Sequence, residues 1–180
     1  WLAQLLDDSD ASVTVYHEPL RQLARRHPKR SVPWLLARFE EQREKTGAWG
    51  AVSCYVRHSV DVLEDAGVAV AGLIRDGRGC TVSLKQILPH LSYEQACERW
   101  VDAYAGLLAT DAPVYRLEDL NDNFIAFCAL CRCVGCQANR ATWQRYRGDK
   151  IHAAKGKRTL GAERQATFQA VAGDLQAMFD

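Results

Sequence analysis

The chain has 180 residues, a formal net charge of +1 at pH 7, 48% hydrophobic and 25% charged residues. That length buries a core as one domain, and the balance is that of a globular protein rather than a disordered one. No apolar run approaches the ~18 residues that span a bilayer, and near-neutral charge argues against a protein built to coat nucleic acid.

Trp1, Leu2, Leu5 and Leu6 share one face of a helix that Asp7-Asp-Ser-Asp10 ends. Val13-Thr-Val-Tyr16 is a short β-branched strand, left through His17-Glu-Pro-Leu-Arg21 at a proline that a central strand does not tolerate. Arg25 to Arg30 is basic and loop-like. Val32 to Lys45 reads as an amphipathic helix with Pro33 in its first turn. Gly47 and Gly50 bracket Trp49 and mark a break. Val56 to Asp65 is a helix ended by Gly67.

The apolar run Val68-Ala-Val-Ala-Gly-Leu-Ile74 reads as a buried strand, followed by Arg75-Asp-Gly-Arg-Gly-Cys-Thr-Val-Ser83 and a helix that Pro89 closes. In open α/β sheets ligands bind beyond the carboxyl ends of the strands, which puts Arg75 at the ligand edge. Ser83 falls about two turns into the following helix if that helix begins near Gly77. An arginine fork and a hydroxyl converging from those places suit a phosphate. The same residues are equally compatible with a solvated turn.

Ser92-Tyr-Glu-Gln95 is a capping box, and behind it Ala96, Cys97, Trp100, Val101, Tyr104, Leu107 and Leu108 form a wide apolar stripe. Val114-Tyr-Arg-Leu117 is a further short strand with Glu118-Asp119 at its carboxyl end, and Asp122 is placed to cap a helix through Phe124, Ile125, Phe127 and Leu130. A last helix carries Phe168, Val171, Leu175 and Phe179 on one side. Strands alternating with helices predict a single α/β domain over residues 1–180 with a mainly parallel sheet.

Taken together these segments resemble the sulfotransferase family, which moves a sulfuryl group from 3′-phosphoadenosine-5′-phosphosulfate (PAPS). Leu73-Ile-Arg-Asp-Gly-Arg-Gly-Cys-Thr-Val-Ser-Leu84 matches the family's strand-ending arginine, Asp-Gly-Arg and spaced serine. Trp1 to Asp7 resembles the helix after the phosphate-binding loop. Tyr115-Arg-Leu-Glu-Asp-Leu120 resembles an Arg-Tyr-Glu-Asp-Leu strand, and Gly161 to Phe179 the closing helix of bacterial-type members. Lys155-Gly-Lys157 is a weaker match to a basic segment that closes over the 3′-phosphate. The resemblance implies a three-layer P-loop-like fold, its mainly parallel central sheet flanked by helices. It also implies PAPS or its bisphosphate product PAP as the nucleotide, held by Arg75, Ser83, Arg78, Lys155, Gly156 and Lys157.

Two departures stand out. The Ser-Gly-Thr-Thr-like turn that holds the sulfonate end is expected just before Trp1, so the reading is of a domain lacking its first strand and that loop. The only methionine is Met178, which fits an absent N-terminal piece. Trp49-Gly50 is followed by Ala51-Val-Ser-Cys54 where related bacterial members carry Lys-Thr-Pro, so a lysine that steadies the leaving group is missing.

Sulfuryl transfer needs in-line geometry, cations over the anion and a base for the acceptor. Arginine and lysine supply the cations, so no metal is obligatory. Tyrosyl-protein-type members place a catalytic glutamate in a similar Glu-x-x-Arg setting, which makes Glu18 the candidate base and Arg21 its charge-stabilising neighbour. His17 is the rival base, its ordinary pKa being already suitable.

Cys128, Cys131, Cys133 and Cys136 crowd four thiols into nine positions, a set that suits tetrahedral zinc but lacks the usual long spacer; buried or loop thiols are the alternative. Cys54, Cys80 and Cys97 read as core residues. Seven cysteines without a regular framework point to a reducing, cytoplasmic compartment. Arg140, Arg145 and Arg147, interleaved with Trp143 and Tyr146, form either a nucleotide or acceptor wall or a solvated helix face.

The expected partner is a small-molecule, carbohydrate or peptide acceptor, with neither nucleic acid nor membrane. The competing readings are an inactive nucleotide-binding or interaction protein on the same fold, a kinase-like nucleotide enzyme, and a zinc-organised module.

Overall fold

A computed structural model of the chain describes residues 1–19, 31–46, 48–53, 59–147 and 160–180. The chain begins with α1 (Leu2–Ser9), whose Leu2, Ala3, Leu5 and Leu6 are buried. Asp10 ends it in an extended conformation, and its carboxylate accepts from Ser12 N–H (3.0 Å) and Ser12 hydroxyl (2.6 Å). Asp7 Oδ1 accepts from Val15 N–H at 2.9 Å, fixing the helix to the strand that follows, β1 (Val13–His17).

Next come α2 (Ser31–Thr46) and β2 (Ala48–Val52). The Trp49-Gly50 pair is therefore not a break but the middle of a strand, parallel to β1 in the register Val13↔Ala48 to His17↔Val52. Pairing overrides the local glycine signal. Trp49 packs edge-on against Phe39 (centroids 4.7 Å apart) and tilts on Tyr16 (5.5 Å), while Gly50 accommodates the Val15 side chain. A parallel pair needs a long crossover, and α2 lies within it.

The segment α3 (Val60–Asp65) ends at Gly67, whose φ of +75° is the left-handed conformation expected of a helix-terminating glycine. Of the apolar run 68–74 only β3 (Gly72–Ile74) is strand. Its approach is instead spent on packing, with Val68 and Val70 against the Leu35 and Leu63 cluster. After β3 come α4 (Gly77–Ile87), α5 (Tyr93–Leu108) and β4 (Val114–Arg116), which is parallel to β3. Asp76 caps α4 through Gly79 N–H at 3.1 Å, and the Ser92–Gln95 capping box opens α5 as the sequence predicts.

The strand expected over Val114 to Leu117, and through Leu120 by the resemblance, stops at Arg116, and Leu117 starts α6 (Leu117–Asp122). The cap of α7 (Phe124–Cys133) is Asn123, one residue beyond the expected Asp122; its side-chain oxygen accepts from Ile125 and Ala126 N–H. The chain closes with α8 (Arg140–Tyr146) and α9 (Ala162–Ala177).

The strands make two separate two-stranded parallel sheets, β1–β2 and β3–β4. Their residues alternate between faces as strand geometry requires. Val15 and Val52 from one sheet, and Leu73 and Tyr115 from the other, pack on a single cluster formed by Leu2, Leu5, Leu6, Leu120, Phe127, Leu130, Cys131 and Trp143. On the opposite faces Trp49 and Ala51 meet Leu35 and Leu63, while Ile74 and Val114 meet Cys97, Trp100, Phe168 and Ala172. Helices thus cover both faces of each pair, in an α/β arrangement. Among the described residues no helix is long and apolar enough to cross a membrane.

Candidate functional site at the strand ends

Three side chains of interest leave the carboxyl ends of β1, β2 and β3. Glu18 follows β1 immediately. Its φ of +49° is left-handed, a conformation that costs a residue with a side chain of order 1 kcal/mol and persists only where surroundings impose it. What imposes it is visible: Glu18 N–H donates to Val52 O at 2.8 Å, prolonging the β1–β2 pairing by one step. The carboxylate is half-buried, and Ser53 hydroxyl, next after β2, donates to Oε2 at 3.4 Å. His17, by contrast, is exposed. Glu18 is thus held at the strand end by its backbone bond and by Ser53, while the His17 side chain is exposed. Arg21 lies outside the described residues.

Arg75 follows β3 directly. The guanidinium is about one-third exposed and reaches Glu118 only through Nε, at 4.0 Å. Its terminal nitrogens, the fork that grips an oxyanion, have no carboxylate partner among the described residues. Glu118, two residues beyond β4, accepts Asp76 N–H on Oε1 at 3.1 Å, while its buried Oε2 has no hydrogen-bond partner. A buried carboxylate oxygen left in that state is costly, and the Arg75 guanidinium is the nearest cation to relieve it. Arg75 is thus a partly exposed cation beside a carboxylate with one unsatisfied oxygen.

Beneath this pair burial pushes the Cys80 thiol up to about 11, partly opposed by the Arg75 charge. Burial also raises Tyr104, with Cys80 and Glu118 adding to the shift. Both groups are neutral at physiological pH and line the floor of the Arg75–Glu118 pair. Ser83 lies on α4 three residues beyond Cys80, one turn further along the same face, and is half-buried.

Arg78 is used differently. It pairs with Asp76 (2.9 Å) and Asp180 (3.1 Å) and lies over the Phe168 ring at 5.8 Å. These contacts tie α4 to the end of the chain, and the carboxylates hold its pKa above the ordinary value. Lys155, Gly156 and Lys157 lie outside the described residues. Of the basic run near α8, Arg145 pairs with Asp8 at 2.9 Å, and Trp143 is buried with its Nε1–H donated to Leu120 O at 2.8 Å. This run helps hold α8 against α1.

Among the described residues no group of three or more His, Cys, Asp or Glu is arranged to hold a metal ion. The four clustered cysteines differ in surroundings: Cys133 Sγ contacts Val70 O at 3.7 Å, whereas Cys131 is buried in the core cluster.

Sequence reasoning missed Glu118, Tyr104 and Ser53 as site residues. Ser53 was detectable only once Trp49-Gly50 was known to be strand, because the register then pairs the positions after His17 and Val52. Tyr104 carries no such signal, being one of several aromatics in an amphipathic stripe. Comparison with known proteins finds no family model that matches this sequence, and no curated relative matches it.

Proposed function

We propose that this chain is a PAPS-dependent sulfotransferase domain, cytoplasmic, acting on a hydroxyl or amine of a small-molecule, carbohydrate or peptide acceptor. The observation that carries the reading is Arg75: an arginine about one-third exposed at the carboxyl end of a buried parallel strand, its fork without a carboxylate partner among the described residues, with a helix starting two residues later. In this reading Arg75 and Ser83 hold the 3′-phosphate, and an arriving anion displaces the long Glu118 contact. Glu18, fixed by its left-handed backbone and Ser53, takes the acceptor proton. Lys155, Gly156 and Lys157 would cover the nucleotide, and Arg21 would sit beside Glu18. Arg78, engaged by two carboxylates, supports the start of α4 rather than reaching the phosphate.

The split sheet supports the same reading. Two parallel pairs rest on one helical cluster without being bonded to each other. A further parallel strand between β2 and β3 would join them into the central sheet of a three-layer P-loop-like fold.

The test is a thermal-shift titration with 3′,5′-adenosine bisphosphate. At a hundredfold excess over its dissociation constant the nucleotide should stabilise the chain by about 2.7 kcal/mol. Arg75→Ala should remove that gain, and it should also lower the ligand-free transition because Glu118 loses its neighbouring cation. A shift with magnesium-ATP but none with the bisphosphate would replace this reading with a kinase-like one, and no shift with either would end both.

A further inference from the structure

The C-terminus of α7 carries a pair of thiols that the nucleotide site does not use. Gly135, at φ +75°, turns the chain back in the left-handed conformation. Cys136 N–H donates to Cys131 O at 2.8 Å and Gly135 N–H to Arg132 O at 3.4 Å. These are the two bonds of a Schellman cap, and that motif brings the side chains flanking the reversal into contact. Those positions are usually apolar; here both are cysteine.

Backbone dimensions and the 2.8 Å hydrogen bond cap the Cα separation of Cys131 and Cys136 at about 6.7 Å, inside the range a disulfide spans. Cys131 belongs to the core cluster, and the Cys136 side chain packs against that same cluster. Their access differs. Cys131 is 1% exposed, whereas Cys136 is partly exposed. Of the other two, Cys133 is turned toward Val70 O, and Cys128 lies one turn back along the helix.

We propose that Cys131 and Cys136 form a dithiol–disulfide pair, closed by oxidised low-molecular-weight thiols across the cap of α7. The Cys136 thiolate attacks one sulfur of the small disulfide and expels the first small thiol. Cys131 loses its proton to solvent and attacks the Cys136 sulfur of the mixed disulfide. The internal S–S bond forms and the second small thiol leaves. Two protein thiols are oxidised and one small disulfide is reduced, so the exchange balances. The bond would fasten the turn of α7 that carries Leu130 in the core to the loop whose Gln137 N–H donates to Asp10 at 2.8 Å. Oxidation would thus lock the α7 end against the α1–β1 junction.

The test equilibrates the full chain with oxidised and reduced glutathione at graded ratios, quenches in acid, alkylates, and reads mass and peptide linkage. The expected product is lighter by about 2 Da before alkylation and contains a Cys131–Cys136 link. Cys128→Ser and Cys133→Ser should retain the link; Cys131→Ser and Cys136→Ser should lose it while keeping the wild-type circular dichroism. The folded chain should reach half-oxidation at a ratio at least tenfold more reducing than the same chain in urea, because the cap holds the thiols together. Gly135→Ala, which strains the left-handed turn, should narrow that difference. A preferred link through Cys128 or Cys133, or equal half-oxidation ratios for folded and urea-unfolded chain, would overturn the proposal.

Discussion

The two glycines of the Asp76-Gly-Arg-Gly79 turn are expected to respond to alanine with opposite signs. A Cβ on Gly77 would lie 2.8 Å from two ring atoms of Trp100 and 2.9 Å from Phe168 Cζ. Ordinary carbon contacts are ~3.5–4.0 Å, so the overlap is about 0.7 Å or more on two rings at once. Neither ring has room to retreat. Phe168 is fully buried, and Trp100 is 4% exposed and packed on Tyr104 with centroids 5.1 Å apart. Relief requires moving the start of α4, which lengthens the buried bond from Gly77 N–H to Gln176 Oε1, now 2.8 Å. Overpacking of this kind costs ~1–3 kcal/mol, against a helix-propensity gain of at most ~1 kcal/mol. The net expectation for Gly77→Ala is a loss of about 1–2 kcal/mol, or about 2–8 °C in Tm. A Cβ on Gly79 meets nothing within 4 Å, so Gly79→Ala should be neutral or stabilising by up to ~1 kcal/mol. Urea unfolding with unchanged m-values is the assay. Equal stability of the two variants, or a more damaging Gly79→Ala, would refute the contact argument.

Asp10 gives a pH signature: its bonds from Ser12 and Gln137 hold its carboxyl below the ordinary carboxylate value. A depressed folded pKa stabilises above the unfolded value of ~3.9 and loses that contribution as pH falls through the folded value. Asp10→Ala should cost ~1–3 kcal/mol at pH 6, and the gap should close below about pH 4 in urea titrations; a gap constant down to pH 2 would exclude the assignment. Cys80, pushed up to about 11 by burial, should react with iodoacetamide at pH 8 about 200-fold more slowly than an ordinary cysteine in the native chain, and normally in urea. Native labelling at the ordinary rate would contradict its burial. Glu18→Gly should relieve a left-handed backbone and raise stability by up to ~1 kcal/mol while abolishing any sulfuryl transfer. Loss of stability with retained transfer would remove Glu18 from the proposed role.

Much of the helical skeleton was legible because its signals are local. The α1 face, the Ser92–Gln95 box, the Gly67 stop and the Gly77 start depend on residues within a turn or two of one another. The strands were harder to read, because a parallel strand is stabilised by partners far along the chain. Ala48–Val52 has two glycines at or beside it and pairs with residues 35 positions earlier. Gly72–Ile74 is half the length its apolar run suggests, because Val68 and Val70 are used to pack on the Leu35–Leu63 cluster. Asn123 displaced Asp122 as a cap because α6 extends through Asp122, a boundary that neighbouring polar residues do not distinguish locally.

The same division separates the two halves of the candidate site. Arg75 and Ser83 belong to one continuous strand–turn–helix, so their spacing alone predicts a common edge. Glu118 joins them only through the β3–β4 register, and Ser53 joins Glu18 only through the β1–β2 register. What the structure adds is the state of those groups without ligand. Arg75 is held by one long contact to Glu118, whose other oxygen is buried and unsatisfied. An anion that draws Arg75 outward therefore deepens the deficit at Glu118, unless the same ligand or the closing of the strand end supplies a donor. That coupling makes Glu118→Gln informative. The amide can donate as well as accept, it removes a charge that competes for Arg75, and it leaves Asp76 N–H an acceptor. If Arg75 is the phosphate-binding group, Glu118→Gln should tighten bisphosphate binding, by up to about tenfold for a gain of ~1.4 kcal/mol, and steepen its salt dependence. Unchanged or weaker binding would mean that Glu118 positions Arg75 rather than competing with the nucleotide for it.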